Sequence, residues 1–219
     1  MLEGFKINCF PLNRSIRISI HLPKDYNNTS RYYPVIYCLD GQNLYKDEES
    51  YRDKAFHLEE MIEKLSEAGK DAIFIGIAAA SHPERREKEY QETILADFIT
   101  SSIHPYLSSR YRMNHYIYAL GCAKACYTAL LLNQNELFKG ALLFAPEFEI
   151  DKVNEINLPN SNLCYIYVGK QELDGLCLSN ATYLKNRFSD VELQFDENKI
   201  HNEEAWRPHL LSALNYLVL

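Results

Sequence analysis

Five short apolar runs, separated by segments with helical spacing, constrain this chain more than any other feature of its sequence. The runs are 34–39 (PVIYCL), 72–79 (AIFIGIAA), 115–120 (HYIYAL), 140–145 (GALLFA) and 163–168 (LCYIYV). None shows a regular apolar–polar alternation. A strand reads this way when both of its faces are covered, as in a parallel sheet between helices. Helical spacing is expected over 54–68, where Phe56, Leu58, Met61, Ile62 and Leu65 recur and Gly69 closes the segment. Further helices are expected over 91–108, 124–134, 176–188 and 203–217, with a short strand at 191–195. By contrast, residues 14–22 alternate, with Ile16, Ile18, Ile20 and Leu22 on one face, as in an antiparallel strand with one wet side. The expected fold is α/β: a mostly parallel central sheet with helices on both faces and antiparallel first strands. It is expected to form a single domain over residues 1–219.

The formal net charge is −7. Nucleic acids and anionic membranes select basic surfaces, so neither is expected as a partner. The N-terminal MLEGFKINCF has no basic segment followed by an apolar one, and no run approaches the length of a membrane span. The chain is too long and too poor in cysteine for a disulfide scaffold. Its six cysteines are expected as free thiols in a reducing cytoplasm, with Cys9, Cys38 and Cys164 buried in strands. A homo-oligomer is compatible with this composition but not specified by it.

In a sheet of this kind, function sits at the carboxyl ends of the strands. The run 34–39 ends in Asp40-Gly41-Gln42-Asn43, a polar loop able to aim backbone N–H groups at an anionic oxygen. The run 115–120 ends in Gly121-Cys122-Ala123-Lys124-Ala125-Cys126. A sharp strand-to-helix turn needs small residues two before and two after its apex. Gly121 and Ala125 bracket Ala123 in that way, so the layout is that of a nucleophile elbow with no nucleophile at its apex. Centring the turn on Cys122 or Cys126 removes the small flanks. The run 163–168 leads to Glu172 and Asp174, either able to orient an imidazole, and the strand at 191–195 leads to His201. The order Ala123, Glu172, His201 matches the nucleophile, acid and histidine order of α/β-hydrolases. None of His82, His104, His115 and His201 pairs with another at ligand spacing on one helix, so neither a metal nor a cofactor is expected.

At these residues the chain resembles the putative esterase family, the esterase D-like or enterochelin esterase-like α/β-hydrolases. The matching stretches begin with Ile18–Pro23, Tyr33–Tyr37 and Leu39–Tyr45, followed by Arg85-Arg86 with Glu89-Tyr90. They continue with Phe144-Ala145-Pro146, Tyr167-Val168-Gly169 with Glu172, and His201-Asn202-Glu203 with Trp206. The resemblance runs from about residue 14 to the C-terminus. It implies an α/β-hydrolase fold, His201 as catalytic base, Glu172 as the acid that orients it, and an oxyanion hole from the N–H groups of Lys124 and of Gly41-Gln42. The family pattern at the elbow is Gly-x-Ser-x-Gly-Gly, and this chain departs from it at Ala123, Ala125 and Cys126. Three changes within four residues read as natural drift rather than a single engineered substitution. The expectation is a family member impaired or inactive as a serine hydrolase that binds a small-molecule ester or acyl-like ligand. The alternative is an active ester hydrolase using a displaced nucleophile, Cys122, Cys126 or another serine, with His201 and Glu172. Ala125 and Cys126 are expected to crowd the elbow.

Overall fold

The computed structural model describes residues 2–219. Eight strands form one sheet: β1 (Leu2–Cys9), β2 (Arg14–His21), β3 (Tyr33–Leu39), β4 (Ile73–Ile77), β5 (Met113–Cys122), β6 (Gly140–Phe144), β7 (Leu163–Gly169) and β8 (Val191–Asp196). Their spatial order is β1-β2-β4-β3-β5-β6-β7-β8. β1 pairs antiparallel with β2, and β2 antiparallel with β4; every later pairing is parallel. This is the α/β-hydrolase arrangement, with its wet first strands at one edge. Ile16, Ile18 and Ile20 of β2 are all fully buried, each contributing about 1.5–3 kcal/mol of burial. β3, β4 and β6 are buried at every position, as their unbroken apolar runs require.

The helices are α1 (Leu58–Glu67), α2 (Pro83–Gln91), α3 (Ile94–Phe98), α4 (His104–Ser108), α5 (Ala125–Gln134), α6 (Ile150–Val153), α7 (Leu176–Arg187) and α8 (Glu203–Tyr216). α1 packs with α8, while α2 and α3 pack on α5. The helix expected over 91–108 is not one regular helix. α3 and α4 are joined by a π-helical turn, Ile99–Ile103. Pro105 has no N–H for the carbonyl four residues back, and a wider turn accommodates the lost bond. α2 carries little apolar periodicity and was not anticipated; only Glu89 and Tyr90 of it are buried. Pro83 starts it at a position where the missing N–H costs nothing. Among the described residues, no helix is long and apolar enough to cross a membrane.

Candidate active site

β5 runs through Gly121 and Cys122, and α5 begins at Ala125, so Ala123 and Lys124 must reverse the chain. Ala123 does so at φ 50, in the left-handed region that residues with a Cβ rarely adopt. Three hydrogen bonds hold it there. Its N–H donates to the Phe144 carbonyl (2.9 Å), and its carbonyl accepts from the N–H of Cys126 (3.1 Å) and Glu147 (3.3 Å). A Cβ on Gly121 would stand 2.6 Å from the Ala125 carbonyl oxygen, so glycine is required at that flank. The Cys126 thiol is fully buried and donates toward the carbonyls of Gly121 (3.2 Å) and Phe144 (3.4 Å). The turn is closed with Ala125 and Cys126 in place. As the first N–H groups of a helix have no intrahelical acceptor, the Lys124 N–H is left at the mouth of α5.

His201 meets Glu172 rather than Asp174. Nδ1 of His201 lies 2.8 Å from Oε2 of Glu172, which is completely buried. Asp174 is exposed. Glu172 Oε1 accepts from the Gly169 N–H at 2.7 Å, and both oxygens accept from Trp206 Nε1, at 3.1 and 3.3 Å. The indole also stands edge-on to the imidazole, with ring centroids 5.0 Å apart. The local reason is the start of α8. Asn202 is its N-cap, its side chain accepting from the Ala205 N–H at 3.1 Å. His201 thus sits just outside the helix, and Trp206 one turn inside it reaches back to the same carboxylate.

The loop after β3 joins this arrangement through Asn43. Its Nδ2 donates to Glu203 Oε1 at 2.5 Å, and its Oδ1 accepts from the Tyr51 N–H at 2.9 Å. Burial raises the Glu203 carboxyl above the ordinary range, opposed by the hydrogen bond from Asn43. The segments Asp40–Asn43 and His201–Trp206 are therefore in direct contact. Asp40 itself is clamped by Arg86 at 2.8 and 2.5 Å, and its N–H donates to the Tyr90 hydroxyl at 3.0 Å.

A solvent-open cavity of about 260 Å³ lies over the turn; Ala123, Lys124 and His201 line it together with Asn43. Gly41 and Gln42 are not among its lining residues. Gly41 packs backbone to backbone on β4, where an added Cβ would stand 2.6 Å from the Gly76 carbonyl carbon. The Gln42 side chain is held between Asp40 Oδ1 (3.1 Å) and the Ala79 N–H (3.0 Å). A residue that the sequence reading passed over, Glu147, does line the cavity. Its Oε2 is 3.9 Å from His201 Nε2, and its Oε1 is 2.8 Å from Lys124 Nζ. It lies three residues beyond β6, so the strand-end rule was the signal that could have found it.

Cys122 and Cys126 are both buried, and burial pushes each thiol well above its ordinary range, against thiolate chemistry. Glu172, Cys177 and His201 place one donor atom each within 4.8 Å of one another. Sulfur, imidazole and carboxylate are a zinc-like donor set, but the Glu172 oxygens already accept from Gly169, Trp206 and His201, so the group is satisfied without a cation.

The fold and this strand-end arrangement define the α/β-hydrolase class. The putative esterase family pattern matches residues 11–160, more than half of the chain, and the chain belongs to that family. The match ends before Glu172 and His201. No curated protein matches the sequence. Among solved structures, an IroE-like serine hydrolase from Shewanella oneidensis is 15% identical with a TM-score of 0.78, over 99% of this chain and 79% of that one. The BES protein from Bacillus cereus is 16% identical with a TM-score of 0.72, over 100% and 95% of the two chains. The enterobactin esterase from Shigella flexneri, solved in the presence of enterobactin, is 14% identical with a TM-score of 0.80, over 98% of this chain and 57% of that one. At these identities the likeness is one of fold.

Proposed function

We propose that this chain is a ligand-binding member of the putative esterase family that has lost serine-hydrolase turnover, with Ala123 standing where the nucleophile would be. The observation that carries the reading is the left-handed Ala123, at φ 50, opening onto the same cavity as a histidine held by a buried carboxylate. A methyl group cannot attack a carbonyl. Loss of the nucleophile costs about a million-fold in turnover, leaving only what binding and oxyanion contacts supply. The ligand class this reading favours is a carboxylic ester or a related neutral carbonyl compound. Its carbonyl oxygen would face the Lys124 N–H, left at the mouth of α5. The serine hydrolase and the enterobactin esterase that share the fold point to the same class.

Retention of His201 and Glu172 is consistent with loss of turnover, because the carboxylate joins the ends of β7 and α8 whatever the chemistry. The displaced-thiol alternative has no support in the burial of Cys122 and Cys126. The test is incubation with a fluorophosphonate probe and with short p-nitrophenyl esters. The expected result is no labelling and no turnover above buffer. Ester hydrolysis abolished by His201→Ala would overturn the reading.

A further inference from the structure

We propose that the candidate site continues into an apolar trough that takes the acyl or aryl part of a neutral carbonyl ligand. The inference rests on the reading that the cavity over Ala123 binds an ester-like compound. A second cavity of about 540 Å³ adjoins the first, and the two share Glu87, Lys124 and Glu147. These three residues are linked, Lys124 Nζ lying 3.0 Å from Glu87 and 2.8 Å from Glu147. The two cavities share that ion-paired bridge as a common wall. The outer volume falls in the range of pockets that hold small organic molecules.

The trough is walled by Tyr127, Phe148, Ile150 and Leu176. Ile150 and Leu176 are 37% and 45% exposed, and Leu173, on the inner cavity, is 41% exposed. Large aliphatic side chains left open around one cleft are the surface an apolar ligand group would cover. The backbone is committed to this arrangement. Leu173, Asp174 and Gly175 are consecutive residues at positive φ (46, 54 and 85). Such strain persists where the surroundings impose it, and it concentrates at binding sites. It places Leu173 on the cavity and Leu176 on the trough on either side of one turn.

Charge decides between a neutral ligand and a free acid. Lys124 is held by two carboxylates, and Lys152, the other trough lysine, lies 3.8 Å from Glu149. The trough thus has three glutamates to two lysines, so a carboxylate entering it meets net negative charge. An ester or amide suits it better than the corresponding acid.

The test uses octanamide, butanamide and octanoate, which cannot be turned over as esters. Binding is followed by ligand-observed NMR and by fluorescence of Trp206, the chain's single tryptophan, which lines the inner cavity. Octanamide should bind at least about tenfold tighter than butanamide, since four extra methylenes leave water, and tighter than octanoate. Leu176→Asp and Ile150→Asp should each weaken octanamide at least about tenfold and leave butanamide unchanged. Both sites are exposed, so the fold is not at risk. Phe10→Asp, at an 86% exposed residue on the β1–β2 turn, should change nothing. Octanamide affinity no better than that of butanamide, insensitivity to both trough substitutions, preference for octanoate, or no binding up to the solubility limit would each overturn the proposal. Ester turnover by the unmodified protein would instead sink the loss-of-catalysis reading and leave the trough standing.

Discussion

Ala123→Ser adds one hydroxyl to a turn that already holds a Cβ at φ 50, facing a cavity of about 260 Å³. Neither new backbone strain nor a buried clash should follow. If Ala123 occupies the nucleophile's place, the lost step is worth about 10⁶ in turnover, or ~8 kcal/mol at 1.36 kcal/mol per decade. A serine misplaced by about 1 Å would forfeit roughly a hundred-fold of that. A missing second oxyanion donor would forfeit about 10²–10³ more, so the single change should recover at least ~10-fold over the parent chain. Sequence pattern alone suggests that Ala123→Ser by itself restores little or no activity and that Ala125→Gly and Cys126→Gly, added to it, do clearly better. The packing of Cys126 argues for the opposite outcome. The Cys126 thiol is buried against two carbonyls, and the turn is closed with Ala125 in place. Each glycine costs up to ~1 kcal/mol relative to alanine in a helix, and the lost thiol adds a cavity. The triple variant should be about 2 kcal/mol less stable than the single variant and no faster. Fluorophosphonate labelling, p-nitrophenyl butyrate hydrolysis and urea unfolding measure the three quantities. An unlabelled Ala123→Ser protein would refute the assignment of the turn. A triple variant more than about tenfold faster than the single one would show that the flanking residues do distort it.

Glu172→Ala would leave the Gly169 N–H, the Trp206 indole N–H and His201 Nδ1 without their buried acceptor. At about 1–3 kcal/mol per orphaned group, urea unfolding should report a loss of at least ~3 kcal/mol, and Glu172→Gln clearly less. For Glu203, burial raises the folded-state value above the unfolded one. The native state then holds the proton longer, so its contribution to stability is lost as pH rises from about 4.3 through the raised folded value. Glu203→Gln keeps an acceptor for Asn43 and should flatten that loss, giving a larger stability gain at pH 7 than at pH 4; equal gains at both would contradict the sign. Cys122 and Cys126 should resist iodoacetamide near neutral pH until the protein unfolds, as read by mass spectrometry, because both thiols are buried and pushed upward.

Much of this arrangement was written into local sequence. The two-sided apolar runs marked β3 to β7, because a strand covered on both faces has no polar alternation to show, and the alternation of residues 14–22 marked β2 as half wet. The small residues around Ala123 marked the sharp turn, since Gly121 has no room for a Cβ. Chain order placed Glu172 and His201 at successive strand ends. Three things were decided only in three dimensions. Which acid meets His201 depended on a 3-10 turn that buries Glu172 and leaves Asp174 in solvent, a choice that side-chain type does not encode. α2 escaped detection because a charged helix over a sheet end has almost no apolar face, yet its Arg86 clamps Asp40 and its Glu87 holds Lys124. Glu147 enters the cavity because β6 lies beside β5, so the loop beyond its end passes the Ala123 carbonyl. Strand adjacency is a non-local property, and no spacing along the chain between Ala123 and Glu147 could report it.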